Sequence, residues 1–350
     1  MNNTFQLRKA ERKQAKLRIG ITGPSGSGKT YSALLLAYGI TGDWDKIALI
    51  DTENGSGELY SDLGPYNVIT LTAPYSPERY IAAIEAAENA GMEAIIIDSA
   101  SHEWEGKGGI LELVDAVANA KFRGNTWAAW SELTPRHQKF IEKITTSPTH
   151  IITTTRAKTD SVMTDDNKVK KVGTKEIQRE GFEYELTISF TLDRDQHLAV
   201  ASKDRTGLFI ERDPFLITAE TGKELRDWNQ SAKPDMSTLK RELVRQANRL
   251  DIAGIGGVPS DPNDALAYIK DTVQVVLDEE LETKDPEKLA AQVERLKQIS
   301  PEEAKKRYKE SKEKKEQKEK QEESVADEIE LDADTGDKKD EKVKSNKDKK

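Results

Sequence analysis

The run Gly23-Pro24-Ser25-Gly26-Ser27-Gly28-Lys29-Thr30 packs three glycines, a lysine and a terminal hydroxyl into eight residues. Phosphate oxygens need several donors converging at short range. Glycines at 23, 26 and 28 let the backbone N–H groups of the run wrap such oxygens, and a helix beginning at its end adds a favourable dipole. In this G-x-x-x-x-G-K-[ST] pattern Lys29 is placed to reach the β- and γ-phosphates of ATP, and the Thr30 hydroxyl to ligate Mg2+. Both flanks suit the chemistry: LRIGIT (17–22) reads as a buried strand, and YSALLLAYGI (31–40) as a helix.

A phosphate loop of this type needs carboxylates around it. Asp98 ends the apolar run AIIIDS (94–99) and would bring one negative charge to the sheet's edge as the second Mg2+ partner. The next residue is Ser99 and not a glutamate, so the group that orients an attacking water must come from elsewhere. One candidate is Glu53 in IALIDTENGSGEL, at the end of a strand expected beside the phosphate loop; the other is Glu103, five residues past Asp98. Position favours Glu53. His102, His137, His150 and His197 show no metal-ligand spacing, and no cysteine is present.

The elements that must position these groups are readable from periodicity. KIALIDT (46–52), NVITLT (67–72), AIIIDS (94–99) and HIITTT (150–155) join LRIGIT as near-continuous apolar or β-branched runs, and they alternate with helical stretches such as PERYIAAIEAAENAG (77–91). This predicts a mostly parallel sheet covered by helices on both faces, an α/β fold. Between Ser99 and His150 the spacing predicts two helices meeting near Gly124, with Trp127 and Trp130 anchoring the second on the sheet. Residues 157–181 are polar, Lys-rich and without period, and read as a long loop. EYELTISFTLDRDQHLAVASKDR then reads as two antiparallel strands joined at DRDQ.

The domain reading is a basic N-terminal arm (1–16), an ATPase core (17–228), a helical region (236–300) and a charged helical extension passing into a disordered tail (301–350). GIGG at 254–257 has no strand before it and reads as a helix connector. The tail holds 16 Lys and Arg against 17 Asp and Glu, so the body keeps nearly all of the net charge of −9. That acidity argues against coating nucleic acid by global charge; any such contact must be local. The absence of cysteine, of a long apolar run and of a secretory N-terminus points to the cytoplasm, and to no membrane partner.

IDTENGSGELYSDLG, AIIIDSASHEW, WSELTPRHQKFIEKI, HIITTTRAK and SKDRTG, in this order after the phosphate loop, resemble the bacteriophage AAA-type ATPases of RecA-like fold, the phage recombinase and single-strand-annealing ATPases, over roughly residues 12–225. The resemblance implies a RecA-like P-loop core and a catalytic base at Glu53. SKDRTG is similar to the K-N-R-F-G motif of RadA-type relatives, with Thr206 in place of Phe. That implies that Lys203 and Arg205 reach across a subunit boundary of a homo-oligomer to the neighbour's γ-phosphate. At Thr154 and Arg156 the chain departs from RecA, which has a Gln near there.

In RecA-like folds a mobile loop after the fifth strand meets single-stranded DNA, which points to Lys158, Lys168, Lys170, Lys171 and Lys175, with the basic arm adding to the site. The expected activity is an ATPase working on single-stranded DNA in recombination or annealing. The alternatives are a slowly hydrolysing, nucleotide-gated adaptor that recruits replication or recombination proteins through its tail, and a small-molecule phosphotransferase.

Overall fold

The computed structural model describes residues 9–163, 169–250, 262–282, 284–314 and 317. Its sheet is built from β1 (Arg18–Gly23), β2 (Ile47–Asp51), β3 (Asn67–Thr70), β4 (Ala94–Asp98), β5 (His150–Met163), β7 (Ile188–Leu192) and β8 (Ala199–Asp204), in the order β3-β2-β4-β5-β1-β7-β8, with β6 (Val169–Glu176) paired to β5. Pairs from β3 to β7 along this path are parallel, and β8 closes the edge antiparallel. The α/β architecture expected from the apolar runs is therefore present.

IALID and AIIID are buried at every residue because helices cover both faces. Alternate side chains feed two cores: Leu49 and Ile96 join one with Ile19, Ile21 and helix α1 (Lys29–Thr41), while Ile50, Ile95 and Ile97 join the other with Tyr80, Ile84 and Phe140. Helix α2 (Pro77–Asn89) supplies Tyr80 and Ile84. Helix α6 (Ala219–Gln230) crosses α1 through two glycines: a Cβ on Gly39 would stand 2.0 Å from the Ala219 carbonyl. This backbone-to-backbone contact fixes α1 and with it the phosphate loop at its start.

Three sequence expectations need correction. Residues 157–163 and 169–176 are strand and not loop: β5 continues to Met163 and pairs antiparallel with β6 from Ala157↔Glu176 outward, broken by an irregularity at Asp160/Ser161. A two-stranded ribbon requires only local β-propensity, here from residues such as Thr159, Val162 and Val172, and leaves no apolar alternation to read. The excursion between β4 and β5 holds α3 (Ser101–Glu105), α4 (Ile110–Lys121) and α5 (Thr126–Thr146), with the expected turn at Gly124. Trp130 stacks on Trp104 at 5.7 Å, but Trp127 is 86% exposed and anchors nothing on the sheet.

The basic arm is the third correction. Its described residues run into β1, and two of its cations are committed: Arg12 bonds the Trp228 carbonyl and lies over that indole at 4.8 Å, and Lys13 pairs with Asp235 at 3.1 Å. Through Arg12 and Lys13 the described part of the arm seals the seam between α6 and the helical region. That region, α7 (Met236–Leu250), α8 (Pro262–Leu277) and α9 (Pro286–Gln298), has its own core of Leu243, Ile269, Val273, Val293 and Leu296. Residues 301–314 are helical; residues 254–257 and most of the tail lie outside the described residues. No helix among the described residues is long and apolar enough to cross a membrane.

Candidate active site

β1 ends at Gly23 and α1 begins at Lys29, so the loop between them opens at the C-terminal edge of the sheet. Gly26 and Gly28 adopt φ of +80° and +85°, a left-handed conformation that side chains with a Cβ resist and that turns successive N–H groups inward. Pro24 and Ser25 form the turn's outer side, and the Pro24 carbonyl accepts from Lys29 Nζ at 2.9 Å. Burial pushes the Lys29 amine down from its ordinary value, opposed by the charges of Asp98 and Glu53. The Ser27 hydroxyl is fully buried and has no partner among the described residues.

Asp98 ends β4 and is buried. Thr30 Oγ1 donates to its Oδ2 at 2.6 Å, and Thr154, on the intervening strand β5, donates to its Oδ1. Burial pushes the Asp98 carboxyl up, opposed by these two hydroxyl bonds and by Lys29. A cation beside it would reverse that cost. The donor set fits Mg2+, which takes one or two hard protein oxygens and completes its octahedron with phosphate and water. Thr30 and Asp98 are such oxygens, and no cluster of three metal-ligating His, Cys, Asp or Glu exists among the described residues.

Glu53 lies two residues beyond β2, where its N–H donates to Asp51 Oδ1 at 2.6 Å. Its Oε1 receives both Nε and Nη2 of Arg156, at 3.0 and 2.9 Å. Arg156 stands opposite Gly23 in the β1–β5 register, so the pair sits at the lip of the phosphate loop. Glu103 is elsewhere in kind: fully buried, it is held by His137 Nδ1 at 3.0 Å and faced by Gln178 Nε2 at 3.4 Å, joining α3, α5 and the foot of the ribbon. Beneath Glu53, Thr52 Oγ1 shares a hydrogen with His102 Nδ1 at 2.8 Å, and the His102 ring stacks on Tyr75.

The other candidates are dispersed. Lys203 and Arg205 lie at the opposite, N-terminal edge of the sheet: Lys203 pairs in register with Ser189, which faces Gly20, and Arg205 N–H bonds Thr187. Their cations rest on the carbonyls of Glu183 and Tyr184, at 2.6 and 2.8 Å. Asp204 pairs with neither; it caps the following turn through Thr206 and Phe209. Lys158 bonds Glu105 at 2.7 Å, Lys175 faces Glu180 at 3.8 Å, Lys170 and Lys171 lie on β6, and Lys168 is outside the described residues.

Two residues near the loop carried no sequence signal. A Cβ on Gly28 would stand 3.6 Å from His197 Nδ1, and one on Gly26 would stand 3.9 Å from Arg194 Nε. Both belong to the β7–β8 turn, and only the strand order, which seats β7 beside β1, reveals that this turn overhangs the phosphate loop.

Comparison with known proteins adds the following. Residues 15–209, more than half of the chain, match the family model described as an AAA domain. No curated protein matches. Among solved structures, the KaiC-like protein PH0186 from the hyperthermophilic archaeon Pyrococcus horikoshii OT3 is similar at 14% identity, covering 54% of this chain and 80% of that one, with a TM-score of 0.29.

Proposed function

Because the chain belongs to the AAA domain family, nucleotide-binding P-loop ATPases of RecA-like fold, we propose that it hydrolyses ATP with Mg2+ and couples the reaction to single-stranded DNA. The observation that carries the hydrolytic reading is the convergence of Lys29, Thr30–Asp98 and Glu53 on one edge of the sheet. Thr30 and Asp98 would hold Mg2+, which when bound neutralises charge on the phosphates. Lys29 leaves the Pro24 carbonyl for the β- and γ-oxygens. Glu53 orients a water and takes its proton as the water oxygen bonds the γ-phosphorus and the bond to the β,γ-bridging oxygen breaks, leaving ADP and phosphate. For this, Glu53 must give up Arg156, which is then free to turn toward the new negative charge.

Completion in trans by Lys203 and Arg205 is the second part of the reading. It is supported by their remoteness from their own phosphate loop: three residues along β1 separate the level of Gly20, which Lys203 shares through Ser189, from Gly23, roughly 10 Å at strand rise, and Arg205 lies farther still. These cations can serve a nucleotide only on a neighbouring copy. The β5–β6 ribbon, with Lys158, Lys170, Lys171 and Lys175, is the surface we assign to single-stranded DNA together with Lys168 of the sequence between its strands, in a phage recombination or annealing role in the host cytoplasm, with the tail recruiting replication or recombination proteins.

Mixing tests the assembly. Lys29→Ala and Arg205→Ala chains should each be inactive alone and regain DNA-stimulated turnover when combined, since one supplies the intact loop and the other the intact cation. A mixture that stays silent while wild type turns over in a concentration-dependent way removes the trans role. Turnover indifferent to a single-stranded oligonucleotide removes the DNA coupling.

A further inference from the structure

Strand order divides the surroundings of the phosphate loop into two flanks. On the β5–β4–β2 side stand Thr154, Asp98, Glu53 and Arg156, the groups suited to the terminal phosphate and its metal. On the other side stands the β7–β8 turn, residues 193–198. A nucleotide whose γ-phosphate lies on the first flank must leave the loop with its nucleoside toward the second.

That turn is built, not loose. Asp193 Oδ1 accepts from the N–H groups of Asp195 and Gln196, and its Oδ2 from that of Leu198, at 2.8 to 2.9 Å. His197 is held at φ +59°, a conformation that is costly for a residue with a Cβ and that persists only where surrounding structure imposes it. The imidazole of His197 lies beside Gly28 and the guanidinium of Arg194 beside Gly26. Arg194 is exposed and makes no ion pair among the described residues, so its donors are uncommitted beside a loop whose ligand is an anion.

We propose that the β7–β8 turn is the nucleoside clamp of the site, with Arg194 donating to the α-phosphate and His197 packing its ring against the nucleoside. The inference rests on the ATP-binding reading above and says which end of the nucleotide each flank takes. It separates two functions in space: residues at 53, 98 and 156 sense the terminal phosphate, and residues at 194 and 197 hold what ATP and ADP share.

Equilibrium binding of ADP, ATP and inorganic tripolyphosphate to the full-length protein with Mg2+ tests this, because tripolyphosphate has the phosphates without the nucleoside. Arg194→Ala should weaken ADP, ATP and tripolyphosphate alike by about tenfold, the loss of one charge-assisted hydrogen bond to the α-phosphate or to the phosphate that takes its place. KM for ATP should rise with kcat unchanged. His197→Asn, which tolerates the left-handed backbone, should weaken ADP and shift the preference between ATP and GTP while tripolyphosphate changes by less than about twofold. An Arg194→Ala loss for ATP with ADP unchanged would place Arg194 at the terminal phosphate and overturn the assignment, as would a His197→Asn loss as large for tripolyphosphate as for ADP. If wild type binds tripolyphosphate but not ADP, the clamp is refuted while the phosphate loop stands. If it binds none of the three, the ATP reading itself falls and takes the clamp with it.

Discussion

β1 has a buried cation near each end, and the two are satisfied in opposite ways. Arg18, 6% exposed at the start of the strand, donates to the carbonyls of Leu17, Thr145, Ser147 and Thr149. Burial pushes its guanidinium down to about 9, still protonated at neutral pH. Lys29, 9% exposed beyond the strand's other end, has one carbonyl of its own loop and otherwise only the field of carboxylates it does not touch. A buried charge surrounded by acceptors fixes the fold; a buried charge short of acceptors is prepared for a ligand. The same contrast separates the two glutamates, since Glu103 is locked between His137 and Gln178 while Glu53 holds a single exchangeable partner.

The largest effect that tests this contrast belongs to the poised edge. Glu53→Gln keeps the shape and removes the base, and should lower kcat by about 10²–10⁴ with little change in melting temperature. Glu103→Gln should do the reverse, because it disturbs a buried network remote from the loop. Comparable losses of kcat in both variants would abolish the distinction between them.

At the saturated end, Arg18→Met should cost roughly 3 kcal/mol in stability by leaving buried carbonyls unpaired, measured by urea denaturation. Turnover per folded molecule should hold. A variant of normal stability and reduced turnover would mean that Arg18 and Lys29 are not different in kind.

The contrast was only partly legible in the sequence. The phosphate loop and the strands announced themselves because buried parallel strands leave continuous Ile, Leu and Val runs, and because glycine spacing is local. Glu53 and Asp98 were locatable as strand ends. Position at a strand end favours Glu53 over Glu103, but only packing shows that His137, 34 residues later, returns to bury Glu103. In the sequence Arg194 reads as part of the DRDQ turn and His197 only as a histidine without metal-ligand spacing, because their neighbour, the loop at residues 23–30, is brought to them by strand order alone. The ribbon of β5 and β6 reads as a loop in the sequence because its polar, Lys-rich residues show no apolar alternation. Trp127 shared its spacing with Trp130, and helical period alone did not tell which of the two met Trp104.

The smallest effect concerns the histidine that seals the saturated end. His150 is 9% exposed, and its Nδ1 accepts from the Leu17 N–H at 3.1 Å, a bond that requires the neutral ring. Burial, reinforced by the positive charges of Lys16, Arg18 and Lys297, holds its pKa well below 6.5. In the unfolded chain the ring titrates near 6.5, so below that pH the unfolded state binds a proton that the folded state refuses, and stability falls as pH drops. Above pH 6.5 the contribution is intact. Between pH 6.5 and 5.5 the loss should approach about 1 kcal/mol, with a smaller share from His102, whose pKa burial also lowers. His150→Asn retains an acceptor for Leu17 and should flatten the urea stability profile across that interval. An unchanged slope in the variant would show that the proton is taken up elsewhere, and that the N-terminal edge of β1 is less tightly closed than its hydrogen bonds imply.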